Sequence, residues 1–257
     1  MYCHPLTKEP LRYEGEFLVG VESGVRFPIE NGLPIFVTGD DLAGLNGRYE
    51  QLYNRMAPFY DFFQRVGYRF MGLGGERAAR GEYLQELQVR NGDRVLETSV
   101  GTGGNLQFLP TGAHYWGLDI SRGMLAVCRR RVKRLGIKAE LCLGAAEHLP
   151  YPDGSFDVVY HMGGINFFSD KASAIHEMVR VAKPGAKILI ADETAELGRS
   201  AQKVPVAAAF YGNPDDYYDA PVHLLPPGMT DIQVKMISGG RLYCLTFRKP
   251  EASTGDR

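Results

Sequence analysis

The stretch Arg94-Val95-Leu96-Glu97-Thr98-Ser99-Val100-Gly101-Thr102-Gly103-Gly104-Asn105 decides the fold. An apolar strand runs into a turn of small residues, with a carboxylate at the strand's tip. A second acidic tip, Asp119, follows the apolar run Tyr115-Trp116-Gly117-Leu118. In a parallel sheet both tips lie at the carboxyl edge, where the chain changes direction and ligands settle. Glycines at the turn let the backbone approach a ligand closely. An acid about 20 residues beyond such a turn is placed to accept hydrogen bonds from ribose hydroxyls. The pair therefore describes a nucleoside pocket.

Outward from that core, the pattern alternates strand and helix. Strands are expected at Arg94–Thr98, Tyr115–Asp119, Ala139–Leu143, Phe156–His161 and Lys187–Asp192. Residues 232–237 and 242–248 are expected to form a closing hairpin. A helix from Glu76 to Leu87 precedes the first of these strands. The helix Arg122–Leu135 starts after the cap Ser121, stops at Gly136, and carries Leu125, Cys128, Val132 and Leu135 on one face. The helix Ala172–Ala182 ends before Pro184-Gly185. Such alternation implies a parallel sheet covered on both faces.

The spacing G-x-G-x-x-G of a dinucleotide site would need a glycine at position 106, which is Leu106. A donor with an ammonium and a sulfonium but no phosphate fits a carboxylate beside the turn better than an anion does. The segments that follow agree in order and spacing. They are Asp119-Ile120-Ser121 with Met124, Gly144-Ala145-Ala146-Glu147-His148-Leu149-Pro150, Ser155-Phe156-Asp157-Val158-Val159, and Glu177-Met178-Val179-Arg180-Val181-Ala182-Lys183-Pro184-Gly185. Together they resemble the class I S-adenosylmethionine-dependent methyltransferases, and in particular the branch holding the ubiquinone/menaquinone-biosynthesis enzymes. The resemblance is strong over residues 75–195 and looser to 249.

The resemblance implies an α/β fold: a Rossmann-like, seven-stranded, mostly parallel sheet with a final antiparallel strand. It implies that Glu97 meets the methionine ammonium and that Gly101 and Gly103 cradle the donor. Asp119 would hold the ribose, Ile120 and Met124 would flank the adenine, and Ala146 would meet its edge. His161, at the tip of the fourth strand, is expected beside the donor methyl and is the candidate base. Asp192 and Glu193 are weaker candidates. Two positions depart from the family pattern: Ser99 replaces the first glycine of the turn, and Ala145 replaces the acid that holds the adenine amino group, leaving Glu147 to compensate. These departures keep a second reading in view, a degenerate binding protein or an activator of a partner enzyme.

Three segments lie outside this core. Residues 1–40 show short strands at 18–21, 25–29 and 34–37 with an Asn31-Gly32 turn, and form a small β appendage. Cys3-His4-Pro5-Leu6-Thr7 with Phe27–Pro34 is similar to a zinc-ribbon family that includes methyltransferase activator subunits. Only Cys3 of two cysteine pairs is kept, so no metal is expected. Residues 41–74 form a helical cap, after a linker at Gly39–Gly47. Its apolar stripe is Tyr49, Leu52, Tyr53, Met56, Phe59, Tyr60 and Phe63, and Pro58 should kink or break the helix. By the resemblance Tyr53, Tyr60 and Phe63 are candidates to touch the acceptor, as is Tyr211 from an insertion at 196–230. Residues 75–250 form the main domain.

A formal net charge of −1 over 257 residues gives no electrostatic footprint for nucleic acid. The run Arg129-Arg130-Arg131-Val132-Lys133-Arg134 reads as a solvated helix face. The segment His161-Met162-Gly163-Gly164 lacks the Asn/Asp-Pro-Pro-aromatic pattern of base N-methyltransferases. The four cysteines (Cys3, Cys128, Cys142, Cys244) form no CxxC, as expected of a reduced, cytoplasmic protein. The start Met1-Tyr2-Cys3-His4-Pro5 has no apolar leader, and no run approaches a membrane span. The expected partner is a small, largely apolar or aromatic acceptor, methylated at oxygen or carbon; a homodimer stays open.

Overall fold

The computed structural model describes residues 2–70, 75–201 and 219–252. Among these residues two sheets are present. The larger holds β5 (Arg94–Glu97), β6 (His114–Asp119), β7 (Ala139–Leu143), β8 (Phe156–Met162), β9 (Ala182–Glu193), β10 (Thr230–Ile237) and β11 (Leu242–Arg248), in the spatial order β10-β11-β9-β8-β5-β6-β7. β7, β6, β5, β8 and β9 run parallel. The last strand in sequence, β11, inserts between β9 and β10 and is antiparallel to both. Successive strands leave β5 in opposite directions, β6 to one side and β8 to the other. Its carboxyl end is the switch point of the sheet.

Among the described residues five α-helices surround the sheets: α1 (Gly44–Phe70), α2 (Glu76–Leu84), α3 (Arg122–Leu135), α4 (Lys171–Val181) and α5 (Ala195–Ala201). Both faces of the larger sheet are covered, which is why β5, β6 and β8 read as continuous apolar runs. Leu96, Trp116, Val159 and Ile188 share one core with α4, while Val95, Tyr115, Val158 and Leu189 share the other with α2 and α3. Helix α3 keeps the expected bounds: Met124 N donates to the Ser121 hydroxyl (3.1 Å), and Gly136 closes the helix at φ +64°. Helix α4 starts and ends one residue earlier than expected, because Asp170 caps it and the chain turns directly into β9 at Ala182, ahead of Pro184.

The N-terminal segment forms a second, antiparallel sheet from β1 (Leu11–Glu14), β2 (Phe17–Gly20), β3 (Arg26–Glu30) and β4 (Leu33–Pro34). Strand β1 is absent from the sequence reading because Leu11-Arg12-Tyr13-Glu14 is mostly exposed and carries no alternation. Asn31 and Gly32 turn at φ +52° and +77°, the left-handed pair that a tight hairpin requires. The appendage merges with the main core. Ile35 forms a parallel bridge to Leu143, Phe36 N donates to the Leu143 carbonyl (2.8 Å), and Tyr2 stacks on Tyr151 with ring centroids 5.6 Å apart. It thereby covers the β7 edge of the sheet, which would otherwise expose unpaired backbone.

Helix α1 corrects two expectations. It begins at Gly44, inside the segment read as a linker, and it continues through Pro58 as one 27-residue helix. The proline removes one backbone donor, but tertiary contacts hold both halves. Ala57 is buried, and Asn54 Oδ1 accepts from the Ser121 hydroxyl (2.7 Å) and from Gly123 N (2.8 Å). The stripe is also not one buried face: Phe59 and Phe63 are 61% and 49% exposed.

Candidate active site

A cleft opens at the carboxyl edge of β5, β6 and β8, beneath α1. Its floor is Ser99 and Gly101 from the β5 turn, Leu118, Asp119 and Ile120 from β6, and Met124 from the first turn of α3. Gly144, Ala145, Ala146 and Glu147 form the side beyond β7. Met162, Gly163 and Gly164 come from the tip of β8, with Phe167 and Phe168 just after it. The roof is Asn46, Tyr49, Tyr53 and Tyr60.

Asp119 is nearly buried and anchored on two sides. Gly101 N donates to Oδ2 (2.8 Å) and Ser121 N to Oδ1 (2.9 Å). Burial pushes its pKa up to about 6, against the pull of those backbone donors. Each oxygen keeps lone-pair capacity for a further donor, which is what a vicinal diol would need. Gly101 sits at φ +53° with open space where a side chain would begin. A ligand backbone or sugar can therefore come close. Ile120, Met124, Leu118 and Ala146 supply apolar walls suited to a purine face. Asn46 Nδ2 donates to Glu147 Oε1 (2.9 Å), and among the described residues the other oxygen of this carboxylate has no donor. These features fit a sulfonium nucleoside, which needs diol acceptors, an apolar base slot and no phosphate cradle.

Four expected site residues lie elsewhere. Glu97 is buried below the floor: Asn105 Nδ2 donates to Oε1 (2.5 Å) and the Tyr160 hydroxyl to Oε2 (2.7 Å). Burial raises its pKa to about 7, opposed by those two donors and by Arg80. Its carboxylate is thus committed to holding the turn through Asn105 rather than to a wall of the cleft. Gly103 stands behind the turn, where a Cβ would come within 2.7 Å of Cys128 Sγ. It is a glycine so that the turn can pack on α3. His161 is fully buried on the α4 side of β8, behind Phe168, whose ring meets it edge-on at 5.1 Å. Its Nδ1 donates to the Thr98 carbonyl (3.2 Å), and burial lowers its pKa despite Asp192 nearby. A strand alternates its side chains between faces, so His161 points away from the side that Met162 lines. Phe63 is on the outer face of α1. Tyr211 lies outside the described residues.

Asp192 also has another task. Gly164 N (3.1 Å), Asn166 N (3.2 Å) and Glu193 N (2.8 Å) all donate to its carboxylate. It shapes the Gly163-Gly164 tip, where both glycines have positive φ. The sequence reading missed the aromatic pair at the cleft mouth, Tyr49 stacked on Phe167 at 4.3 Å. It also missed Asn46, whose Oδ1 accepts from Ser169 N (3.0 Å) and which fastens the start of α1 across the cleft. Tyr49 stood in the stripe, but only the fold gives it a partner.

The cleft lies at the switch point of a seven-stranded sheet with an inserted antiparallel strand. Residues 96–190 match the family model described as a methyltransferase domain. The chain is 35% identical over 144 residues to the ubiquinone/menaquinone biosynthesis C-methyltransferase UbiE of Burkholderia mallei, covering 54% of this chain and 57% of that protein. It therefore spans a little over half the length of the curated relatives it matches. Among solved structures, a Methanococcus maripaludis protein provisionally assigned as an S-adenosyl-L-methionine-dependent methyltransferase superposes with a TM-score of 0.60 at 16% identity, covering 78% of this chain and 95% of that one. The Haemonchus contortus phosphoethanolamine N-methyltransferase 2, in complex with S-adenosyl-L-methionine, gives 0.53 at 20% identity over 67% and 52%. At these identities the two structures speak for the fold. Over residues 96–190 the chain is thus similar to methyltransferase domains. The family match begins at residue 96, so the ribbon-like look of residues 3–34 remains a resemblance only. Among the described residues no helix is long and apolar enough to cross a membrane.

Proposed function

We propose that this protein methylates a carbon or oxygen of a small, largely apolar, aromatic or quinone-type acceptor, with S-adenosylmethionine as donor. One observation carries the reading. The cleft joins a diol-accepting carboxylate, Asp119, to an aromatic vault of Tyr49, Tyr53, Tyr60, Phe167 and Phe168. Asp119, Gly101, Ile120, Met124, Ala146 and Glu147 would hold the nucleoside end. The donor supplies an already activated methyl group. The protein's own residues then have to orient the acceptor and keep water out. The aromatic vault does both for a flat apolar ring.

The similarity to a quinone-pathway C-methyltransferase supports the acceptor class. The wall of the cleft supports it too, since its described residues include no histidine and no lysine. Nucleophilicity must then come largely from the acceptor itself, as in an ionisable phenol or dihydroxy ring. The ring proton would pass by tautomerisation to that acceptor's own oxygen, to which the Tyr53 hydroxyl, lying by Gly164 at the β8 tip, could donate a hydrogen bond. Tyr53 stays protonated in the resting protein, because burial raises its pKa well above the usual phenol value.

The test is calorimetric titration with S-adenosylmethionine and its demethylated product, followed by turnover on a panel of dihydroquinones, phenols and amines. Donor binding with methylation of a dihydroquinone or phenol is the expected result. No binding at millimolar donor would reject the enzyme reading, and methylation confined to amines would reject the acceptor class.

A further inference from the structure

The outward face of α1 carries charges of one sign and an aromatic ridge. Phe59, Phe62 and Phe63 are 61%, 64% and 49% exposed, and Leu45 on the same helix is 43% exposed. Arg48, Arg55 and Arg65 are exposed along the same helix, and none is ion-paired among the described residues. The helix has two acids within its described side chains, and both are taken. Glu50 accepts from Asn54 Nδ2, while Asp61 pairs with Arg131 of α3 and accepts from the Thr102 hydroxyl (2.7 Å). The Asp61–Arg131 pair also brings α3 alongside. Arg130 and Arg134, its neighbours on the helix surface, are exposed there.

Single exposed apolar side chains are ordinary, but three phenylalanines within five positions, ringed by arginines with no acid, are not. A protein partner of mixed surface would leave these cations unmatched. An anionic lipid surface matches both components, because phenylalanines enter the headgroup–acyl boundary and arginines meet lipid phosphates. We infer that the outer face of α1 docks on an anionic lipid bilayer.

The opposite face of the same helix roofs the cleft through Asn46, Tyr49, Tyr53 and Tyr60. Docking would set the cleft one helix diameter, about 10 Å, from the lipid. An apolar acceptor partitions into that lipid, so the surface would supply substrate locally. That last consequence rests on the proposed function; the docking itself does not.

Vesicle flotation of the full chain tests it without donor or acceptor. Vesicles of equal parts phosphatidylcholine and phosphatidylglycerol are compared with phosphatidylcholine alone. Expected are binding to the anionic vesicles that weakens with added salt, and a loss of about tenfold or more in F59Q/F62Q and in R48Q/R55Q. Donor titration should stay unchanged in both variants, which shows that they fold. Equal flotation with both vesicle types would overturn the inference. So would undiminished binding by F59Q/F62Q, or a dimer of the wild type that these substitutions dissolve without any vesicle binding. Failure of donor titration with vesicle binding intact would defeat the functional reading and leave the docking face standing.

Discussion

Glu97 and Asp119 end neighbouring parallel strands, four residues of which pair in register from Arg94 with His114 to Glu97 with Gly117. In sequence they look alike: an acid at the end of an apolar run. The fold separates them. Asp119 stands in the cleft wall with two backbone donors, and Glu97 lies beneath it with two side-chain donors. Both are raised by burial, to about 6 and about 7. What differs is which neighbours use up their lone pairs. An acid at a strand tip is a ligand group only if the protein leaves it one.

The largest effect that would break this comparison is at Asp119. Charge-assisted hydrogen bonds contribute about 1.5–3 kcal/mol each, so Asp119→Ala should weaken donor binding by about tenfold to a hundredfold in a calorimetric titration. A change below threefold would show that the ribose is held elsewhere.

Next in size is the contrast between the two glycines of the turn, read by thermal unfolding. Gly103→Ala has φ +73° to violate and the Cys128 sulfur to displace, and should cost about 2–3 kcal/mol. Gly101→Ala meets no atom and should cost about 1 kcal/mol of backbone strain. It should lower donor affinity more than Gly103→Ala does, since its added methyl faces the cleft. Equal losses of affinity in the two variants would contradict the division of roles.

The pH dependence sharpens the same comparison. The folded state holds the Asp119 and Glu97 protons more tightly than the unfolded chain does. Their contribution to stability is therefore full below the ordinary carboxylate range and is lost as pH rises through about 6 and about 7. Donor binding has the opposite sign, because the diol needs the ionised Asp119. Affinity should fall as pH drops through about 6, approaching about tenfold per unit below it. An affinity flat between pH 5 and pH 7, as a rough window, would exclude Asp119 as the acceptor of those hydroxyls.

The smallest effect is expected at Glu97→Gln. An amide keeps the bond from Asn105 and removes a buried charge, so donor affinity should change by less than about threefold, while the unligated protein gains stability above pH 7. A tenfold loss of affinity with unchanged folding would restore Glu97 as a direct partner of the methionine ammonium.

Much of this was legible in the chain. Strand cores such as Val95-Leu96 and Val158-Val159 are apolar on both faces, and the caps Ser121 and Gly136 are local signals, so the parallel sheet and α3 could be placed. Asp119, Ile120 and Met124 follow from their short spacing to the turn. The differences between expected and observed placement have a common cause. His161 and Gly103 were assigned by position along the chain, whereas their roles depend on the face of a strand and on a neighbour 25 residues away, Cys128. Pro58 suggests a kink or break because its cost is local, while the contacts of Asn54 and Ala57 that hold the helix together are not. The Tyr49–Phe167 stack joins residues more than a hundred positions apart, and no local pattern announces it.

Crystallisation with S-adenosylhomocysteine, the demethylated donor, tests the central claim most directly. The expected density places the ribose hydroxyls on the Asp119 carboxylate, the adenine between Ile120, Met124 and Ala146, and the sulfur toward the aromatic vault, with no contact to Glu97. Density seated elsewhere, or a cleft that stays empty at saturating ligand, would contradict it.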